Sequence, residues 1–218
     1  MKTKIIRDSI VDKVCKEFTY EFQEYIEFKE HDIIDQIPKD FNIGLILGTS
    51  GSGKSLLLKT FGSLKEASWD KHKAVCSHFD SYEEASEKLM AVGFNTIPEW
   101  LKNYYILSTG QRYRVDLART LKDDSVFDEF TSVIDRGTAL SLSNSVNKYI
   151  KSNDIKNVVF ASVHKDIIEY LQPDWIYYTD EKELIINSNS YDLEINEKIT
   201  YISKPYKKHF MTTSTTSS

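Results

Sequence analysis

Apolar positions in the central part of the chain alternate between short continuous runs and amphipathic stretches. The continuous runs, such as NIGLIL and NVVFAS, are typical of strands buried on both faces of a sheet. We predict strands at 42–47, 74–79, 125–130, 157–162, 175–178 and 184–186. Helical spacing and capping residues predict helices at 56–62, 81–92, 110–121, 138–151 and 166–171. Strands that alternate with helices indicate a parallel sheet with helices on both faces.

The two ends of the chain differ from this central pattern. Residues 4–28 mix β-branched, aromatic and charged side chains, which predicts half-exposed antiparallel strands. The last residues, 211–218 (MTTSTTSS), are of low complexity, and we predict a disordered tail there. A length of 218 residues fits one domain, which we place at 1–210.

The charge balance is mildly acidic. Lysine and arginine number 28 against 33 aspartates and glutamates, and the net charge of −5 argues against a surface coated in positive charge for nucleic acid. No apolar run approaches the roughly 18 residues of a membrane span. The N-terminus carries charges where a signal peptide needs an apolar stretch. We therefore expect a cytoplasmic protein without a membrane partner.

Residues 48–55 (GTSGSGKS) satisfy the phosphate-loop pattern GxxxxGK[ST], between a predicted strand and a predicted helix. Glycines permit a loop whose backbone N–H groups converge on phosphate oxygens, and the start of the helix adds its own attraction for anions. Lys54 supplies positive charge to the phosphates, and the Ser55 hydroxyl is a ligand for magnesium. The predicted nucleotide-binding residues here are Gly48, Thr49, Ser50, Gly51, Ser52, Gly53, Lys54, Ser55 and Leu57.

Four downstream segments narrow the class of phosphate-loop protein. LSTGQ at 107–111 is followed by a helix that ends in an Ala-Arg pair, and VFDE at 126–129 has a glutamate directly after an aspartate. SVID follows at 132–135, and His164 comes just after the strand NVVFAS. In this order, over about residues 40–180, the segments resemble the signature, Walker B, D-loop and switch histidine of ABC-type ATPases.

The resemblance is closer to one group within that family. The runs IPKDFNIGLILGTSGSGKS, IPEWLKNYYILSTGQ and LQPDWIYYTD are similar to those of phage and bacterial ABC-type ATPases that are often fused to a GNAT-type acetyltransferase domain. We expect that domain to be absent here, so that acetyl transfer would come from a partner protein. A phage-encoded chain would work in the host cytoplasm.

The resemblance also implies a role for each matching residue. Asp128, together with Ser55, would hold magnesium, and Glu129 would act as the general base for the attacking water. His164 would contact the γ-phosphate, next to Lys54. These roles imply ATP and Mg²⁺ as cofactors. They suit phosphoryl transfer, which needs positioning and charge neutralisation more than covalent chemistry.

A second set of residues would act across a dimer. The resemblance implies that the start of the signature helix approaches the γ-phosphate of ATP bound to the other protomer, and that the D-loop lies at the dimer interface. The residues concerned are Ser108, Thr109, Gly110, Gln111 and Asp135. We therefore expect a homodimer closed around two ATP molecules.

Two features depart from the family pattern. The stretch between Lys54 and Ser108 is much shorter than in transporter subunits, so the helical subdomain, at about 81–121, must be reduced. That subdomain normally docks a transmembrane partner. No glutamine follows the predicted strand 74–79, and His78 or Asp80 stands near its place. The adenine-stacking aromatic stays open among Tyr20, Tyr25 and Phe28.

The sequence thus predicts an α/β fold: a three-layer P-loop NTPase core of ABC type with an N-terminal antiparallel β-sheet and a shortened helical subdomain. The predicted function is Mg-ATP hydrolysis coupled to head-to-tail dimerisation and to action on a partner. The alternative is a nucleotide-dependent, DNA-associated binding module, for repair or modification, with slow or no hydrolysis. Lys204, Lys207 and Lys208 are either a solvated terminus or a patch for weak, ATP-dependent DNA binding.

Overall fold

The structure is a computed structural model and describes residues 2–27 and 33–187. Its strands are β1 (Lys2–Lys4), β2 (Tyr25–Glu27), β3 (Ile43–Leu47), β4 (Val126–Phe127), β5 (Val158–Ser162), β6 (Trp175–Tyr178) and β7 (Glu183–Ile186). Its α-helices are α1 (Ser9–Glu17), α2 (Lys54–Leu58), α3 (Tyr82–Ala91), α4 (Ile97–Trp100), α5 (Thr109–Thr120), α6 (Arg136–Ser152) and α7 (Ile168–Leu171). Short 3-10 turns occur at Ile34–Gln36, Val75–His78, Tyr104–Ile106 and Lys165–Ile167.

The described residues form a central sheet in the order β4–β5–β3–β6–β7. β3 pairs in parallel with both β5 and β6, and β4 pairs in parallel with β5. Only the edge strand β7 runs antiparallel in this sheet as described. The carboxyl ends of β4, β5, β3 and β6 therefore lie along one edge, where open α/β sheets usually bind their ligands.

Helices cover both faces of this sheet. Leu45 and Leu47 of β3 point into the larger core, which also holds buried side chains of α3, α5 and α6. Ile46 points into the smaller core, together with Leu57 and Leu58 of α2. Alternation along a strand sends successive side chains to opposite faces, so a strand with helices on both sides is apolar throughout. The predicted three-layer α/β architecture is confirmed.

The start of β3 is anchored to the strand beside it. The carboxylate of Asp174, just before β6, accepts hydrogen bonds from the N–H groups of Asn42 and Ile43 at 2.8 and 2.9 Å. Gly44 lies against the indole of Trp175, and a Cβ at residue 44 would come within 2.1 Å of that ring. A glycine is therefore needed for this close packing, which fixes β6 next to the strand that leads into the phosphate loop.

The N-terminal segment only partly matches the prediction for residues 4–28. β1 and β2 do form an antiparallel pair, but the helix α1 lies between them and was not predicted. Asp8 begins this helix, because its side chain accepts hydrogen bonds from the N–H groups of Ile10 and Val11 at 2.9 Å each.

The prediction of a strand at 74–79 is wrong. Val75–His78 is a 3-10 turn, and Ala74 makes only an isolated antiparallel bridge to Asn103. The His78 ring folds the chain back on itself, because its Nε2 accepts a hydrogen bond from the Asp70 N–H at 2.9 Å. Only Val75 of this run is fully buried, so its side chains do not alternate between two cores as those of a central strand do.

The predicted helices are found with shifted ends. The Ser81 hydroxyl caps α3 by accepting from the Glu84 N–H at 3.1 Å, while the Glu84 carboxylate accepts from Asp80 rather than from Ser81. The helix expected to reach Gly62 ends at Leu58, and the one expected at 166–171 begins as a 3-10 turn. Across residues 2–27 and 33–187, no helix has the length and apolarity to span a membrane.

Candidate active site

The predicted site residues follow three neighbouring parallel strands. Gly48 comes directly after β3, Asp128 directly after β4, and His164 two residues after β5. β5 pairs with both of the other strands, so the histidine lies between the phosphate loop and the acidic pair along the edge of the sheet. Three segments far apart in sequence are thereby brought to one edge.

The phosphate loop has the backbone that its glycines predict. Gly51 and Gly53 adopt φ values of 80° and 93°, in the left-handed region that glycine enters without steric cost. Lys54 begins α2, is only 8% exposed, and donates from Nζ to the Thr49 carbonyl at 2.6 Å. The lysine therefore lies back across its own loop.

Thr179 and Asp180, just after β6, bind the phosphate loop, and the sequence did not reveal this contact. The Asp180 carboxylate accepts from both the N–H and the hydroxyl of Thr49, at 2.8 and 2.9 Å. The hydroxyls of Ser52 and Thr179 are hydrogen-bonded at 2.6 Å. A Cβ at residue 48 would lie 1.9 Å from the Thr179 hydroxyl, so Gly48 permits this packing. The hydrogen bonds from Thr49 lower the pKa of Asp180, and the positive charge of Lys54 lowers it further.

The acidic pair lies in a tight turn after β4. The strand expected at 125–130 stops at Phe127, because Glu129 adopts a φ of 49° and Thr131 a φ of 71°. The half-buried Asp128 carboxylate accepts from the Glu129 N–H at 2.8 Å, and the Glu129 side chain is exposed. Asp128 and the Ser55 hydroxyl are hard oxygen donors, which fit Mg²⁺, an ion that keeps several waters and takes few protein ligands.

Ser162, at the end of β5, connects the acidic turn to the histidine. Its hydroxyl donates to the Phe130 carbonyl at 2.9 Å and accepts from the His164 N–H at 3.1 Å. The Phe130 N–H donates to the Ala161 carbonyl at 2.8 Å. Burial, with the positive charge of Arg136, lowers the pKa of His164, so the imidazole is neutral at pH 7.

The signature residues form the start of α5. Ser108 and Gln111 make a reciprocal capping box, in which the Ser108 hydroxyl accepts from the Gln111 N–H at 3.3 Å and the Gln111 side chain accepts from the Ser108 N–H at 3.0 Å. Ser108 and Thr109 are exposed. A Cβ at residue 110 would lie 3.2 Å from the Ile134 side chain, so Gly110 packs against the D-loop of the same chain.

The D-loop leads into the longest helix that the structure describes. Asp135 caps α6 by accepting from the Thr138 N–H at 2.9 Å, and this hydrogen bonding lowers the pKa of its carboxyl group. The next residue, Arg136, pairs with Asp166, with Nε 3.2 Å from Oδ2. This ion pair ties the D-loop to the turn that follows His164, another connection that the sequence did not reveal.

The chain matches no protein-family model and no curated protein. The dimeric structure of a post-hydrolysis state of the ATP-binding cassette MJ0796, bound to ADP and Pi, is similar to it at 15% identity, covering 78% of this chain and 96% of that chain with a TM-score of 0.50. The dimeric structure of MJ0796, a bacterial ABC transporter cassette, is 17% identical over 76% of this chain and 90% of that chain, with a TM-score of 0.49. The chain has the fold of an ATP-binding cassette.

The other residues singled out by the sequence make contacts of their own, are exposed, or lie outside the described chain. His78 Nε2 accepts from the Asp70 N–H and Nδ1 donates to the Ala74 carbonyl, each at 2.9 Å, and the ring packs on Trp69. These contacts give the ring a structural role. Tyr20 and Tyr25 are exposed. Phe28, the basic cluster Lys204, Lys207 and Lys208, and the predicted tail at 211–218 lie outside the described residues.

Proposed function

We propose that this chain binds Mg-ATP and hydrolyses it to ADP and phosphate. The observation that carries the proposal is the arrangement of β3, β5 and β4, whose carboxyl ends bring a glycine-built phosphate loop, a histidine and an Asp-Glu pair to one edge of a sheet. A loop of this form binds phosphate through its backbone N–H groups and its lysine. The cassette fold is consistent with this function.

The residues at this edge divide the chemistry among them. Lys54 and the loop N–H groups would bind the phosphates, and Ser55 with Asp128 would hold Mg²⁺. The ion, when bound, neutralises charge on the phosphate oxygens. Glu129 is exposed and lies in the turn after β4, where its N–H donates to the Asp128 carboxylate, so its side chain is available to accept a proton from water. The neutral His164 can donate or accept a hydrogen bond beside it.

We further propose that the active form is a head-to-tail dimer. In the described part of the chain, the hydrogen bonds of the Ser108 and Gln111 side chains join them to each other and to Glu99, and none reaches the phosphate loop. At the exposed start of α5, the described residues offer no hydrogen-bond partner to the N–H groups of Thr109 and Gly110, which suits a phosphate supplied by a second copy. The similar cassette structure bound to ADP and Pi is itself dimeric.

Mixing two inactive variants tests this arrangement. Ser108→Arg blocks the signature, and Lys54→Ala disables the phosphate loop, so each homodimer should hydrolyse ATP very slowly. A heterodimer of the two has one intact composite site, and mixing should recover part of the phosphate release. If tagged heterodimers form and both variants fold, yet no mixture recovers activity, the role of the signature across the dimer is refuted.

A further inference from the structure

The hydroxyl of Tyr113 joins the signature helix to the turn that carries Glu129. Tyr113 lies in the second turn of α5, and its ring packs against the larger core. Its hydroxyl accepts a hydrogen bond from the Thr131 N–H at 3.1 Å. Thr131 is fully buried, so water does not replace this bond. Burial raises the pKa of Tyr113, which keeps the hydroxyl neutral.

The turn that receives this bond has an uncommon backbone. Glu129 and Thr131 both have positive φ, at 49° and 71°, and for a β-branched residue such as threonine this conformation is a genuine outlier. A conformation of this kind persists only where the surroundings hold it. Phe130 is held on one side by Ala161 and Ser162 of β5, and Thr131 is held on the other by Tyr113.

We propose that the Tyr113 hydroxyl is a positioning group that holds the turn of Glu129 in its left-handed conformation and links it to the signature of the same subunit. The inference rests on the proposed function, because it assigns Glu129 a catalytic role. Tyr113 does not touch the reacting atoms. It acts through Thr131, by fixing the direction in which the Glu129 carboxylate leaves the backbone.

The position of Tyr113 gives the link a direction. Ser108, Gly110 and Tyr113 belong to one continuous helical segment, so a ligand that shifts the capped end of α5 also shifts the Tyr113 ring. Gly110 packs against Ile134, and Tyr113 binds Thr131, so the helix contacts both ends of the segment between Walker B and α6. Binding of a phosphate at Ser108 would therefore shift the turn that carries Glu129 of the same chain.

Tyr113→Phe removes only the hydroxyl and tests the inference directly. In the full chain we expect kcat for ATP hydrolysis to fall about tenfold while KM changes by less than about twofold, because a buried N–H loses its partner in the turn rather than in the phosphate loop. Hydrogen–deuterium exchange of the 129–135 segment should become faster. Tyr149→Phe is the matched control, since the described residues offer no hydrogen-bond partner to that half-buried hydroxyl.

The two readouts separate this inference from the proposed function. If the wild-type chain hydrolyses no ATP, the proposed function fails, and faster exchange in Tyr113→Phe still supports the positioning contact. Unchanged kcat and unchanged exchange in a folded Tyr113→Phe protein overturn the inference, as does a rise in KM at constant kcat.

A second substitution keeps the test decisive if Tyr113→Phe folds poorly. Glycine enters the left-handed region without steric cost and adds no atoms at the buried position 131. Adding Thr131→Gly to the Tyr113→Phe chain should therefore recover part of the lost kcat. Absence of any recovery in the double variant contradicts a role in holding the left-handed turn.

Discussion

Replacing Ser162 by alanine should cost more stability than its single lost oxygen suggests. The Ser162 hydroxyl is fully buried and serves two backbone groups, the Phe130 carbonyl at 2.9 Å and the His164 N–H at 3.1 Å. Each lost hydrogen bond contributes about 0.5–1.5 kcal/mol net, and an unsatisfied buried group can cost more. We therefore expect Ser162→Ala to lower the free energy of unfolding by about 2 kcal/mol.

Ser143 provides a matched control in the same domain. It is equally buried, and its hydroxyl donates at 2.8 Å to the Ala139 carbonyl, four residues earlier in α6. That carbonyl already accepts the helical hydrogen bond, so little is lost with the hydroxyl, and alanine is the better helix former. We expect Ser143→Ala to change the free energy of unfolding by less than about 0.5 kcal/mol.

Urea unfolding of the two variants and the wild type measures this difference. Equal slopes of free energy against urea would show that both variants unfold the same structure. Ser162→Ala should also reduce kcat, because the turn after Asp128 and the backbone of His164 lose their shared support. The reasoning is refuted if the two variants have the same midpoint and the same slope as the wild type.

Two further predictions concern residues at the proposed phosphate site. Asp180→Ala should raise the Kd for Mg-ATP about tenfold. Asp180→Asn can still hydrogen-bond to Thr49, so its Kd should stay within about threefold of the wild-type value. Equal Kd values for the two variants in calorimetry would contradict a role for this contact. Folding lowers the pKa of His164, so as the pH falls the imidazole is protonated in the unfolded chain before it is protonated in the folded chain. The contribution of His164 to stability is therefore present above its ordinary pKa of 6.5. It is lost as the pH falls from 6.5 through the folded pKa. The free energy of unfolding should decrease less between about pH 7.5 and about pH 5.5 in His164→Gln than in the wild type. An equal or larger decrease in the variant would show that burial beside Arg136 does not disfavour the imidazolium.

The parts of the fold predicted correctly are those with a local signal. β3 and β5 are continuous apolar runs because both of their faces are covered, and the glycines of the phosphate loop mark its left-handed positions directly. The run at 74–79 resembles these strands in composition but lacks a neighbour in the sheet. Its conformation is set by the contact of His78 with Asp70, which no local pattern reveals.

The missed parts of the site depend on contacts between distant segments. Asp180 reaches Thr49 only because β6 pairs with β3, and the sequence of neither strand alone specifies that pairing. The signal that could have found Asp180 is its place two residues after a strand predicted to end at the same edge as the loop. The left-handed Thr131 was not visible either, because threonine normally avoids that conformation.

The most direct test of the central claim is Mg-ATP binding and phosphate release by three forms of the chain. The wild type should bind Mg-ATP and release phosphate over many turnovers. Lys54→Ala should lose tight binding, because the cation that lies across the loop is removed. Glu129→Gln should bind like the wild type, hydrolyse very slowly and collect as an ATP-dependent dimer. Equal affinity and equal phosphate release in all three forms would contradict the assignment of this edge as an ATPase site.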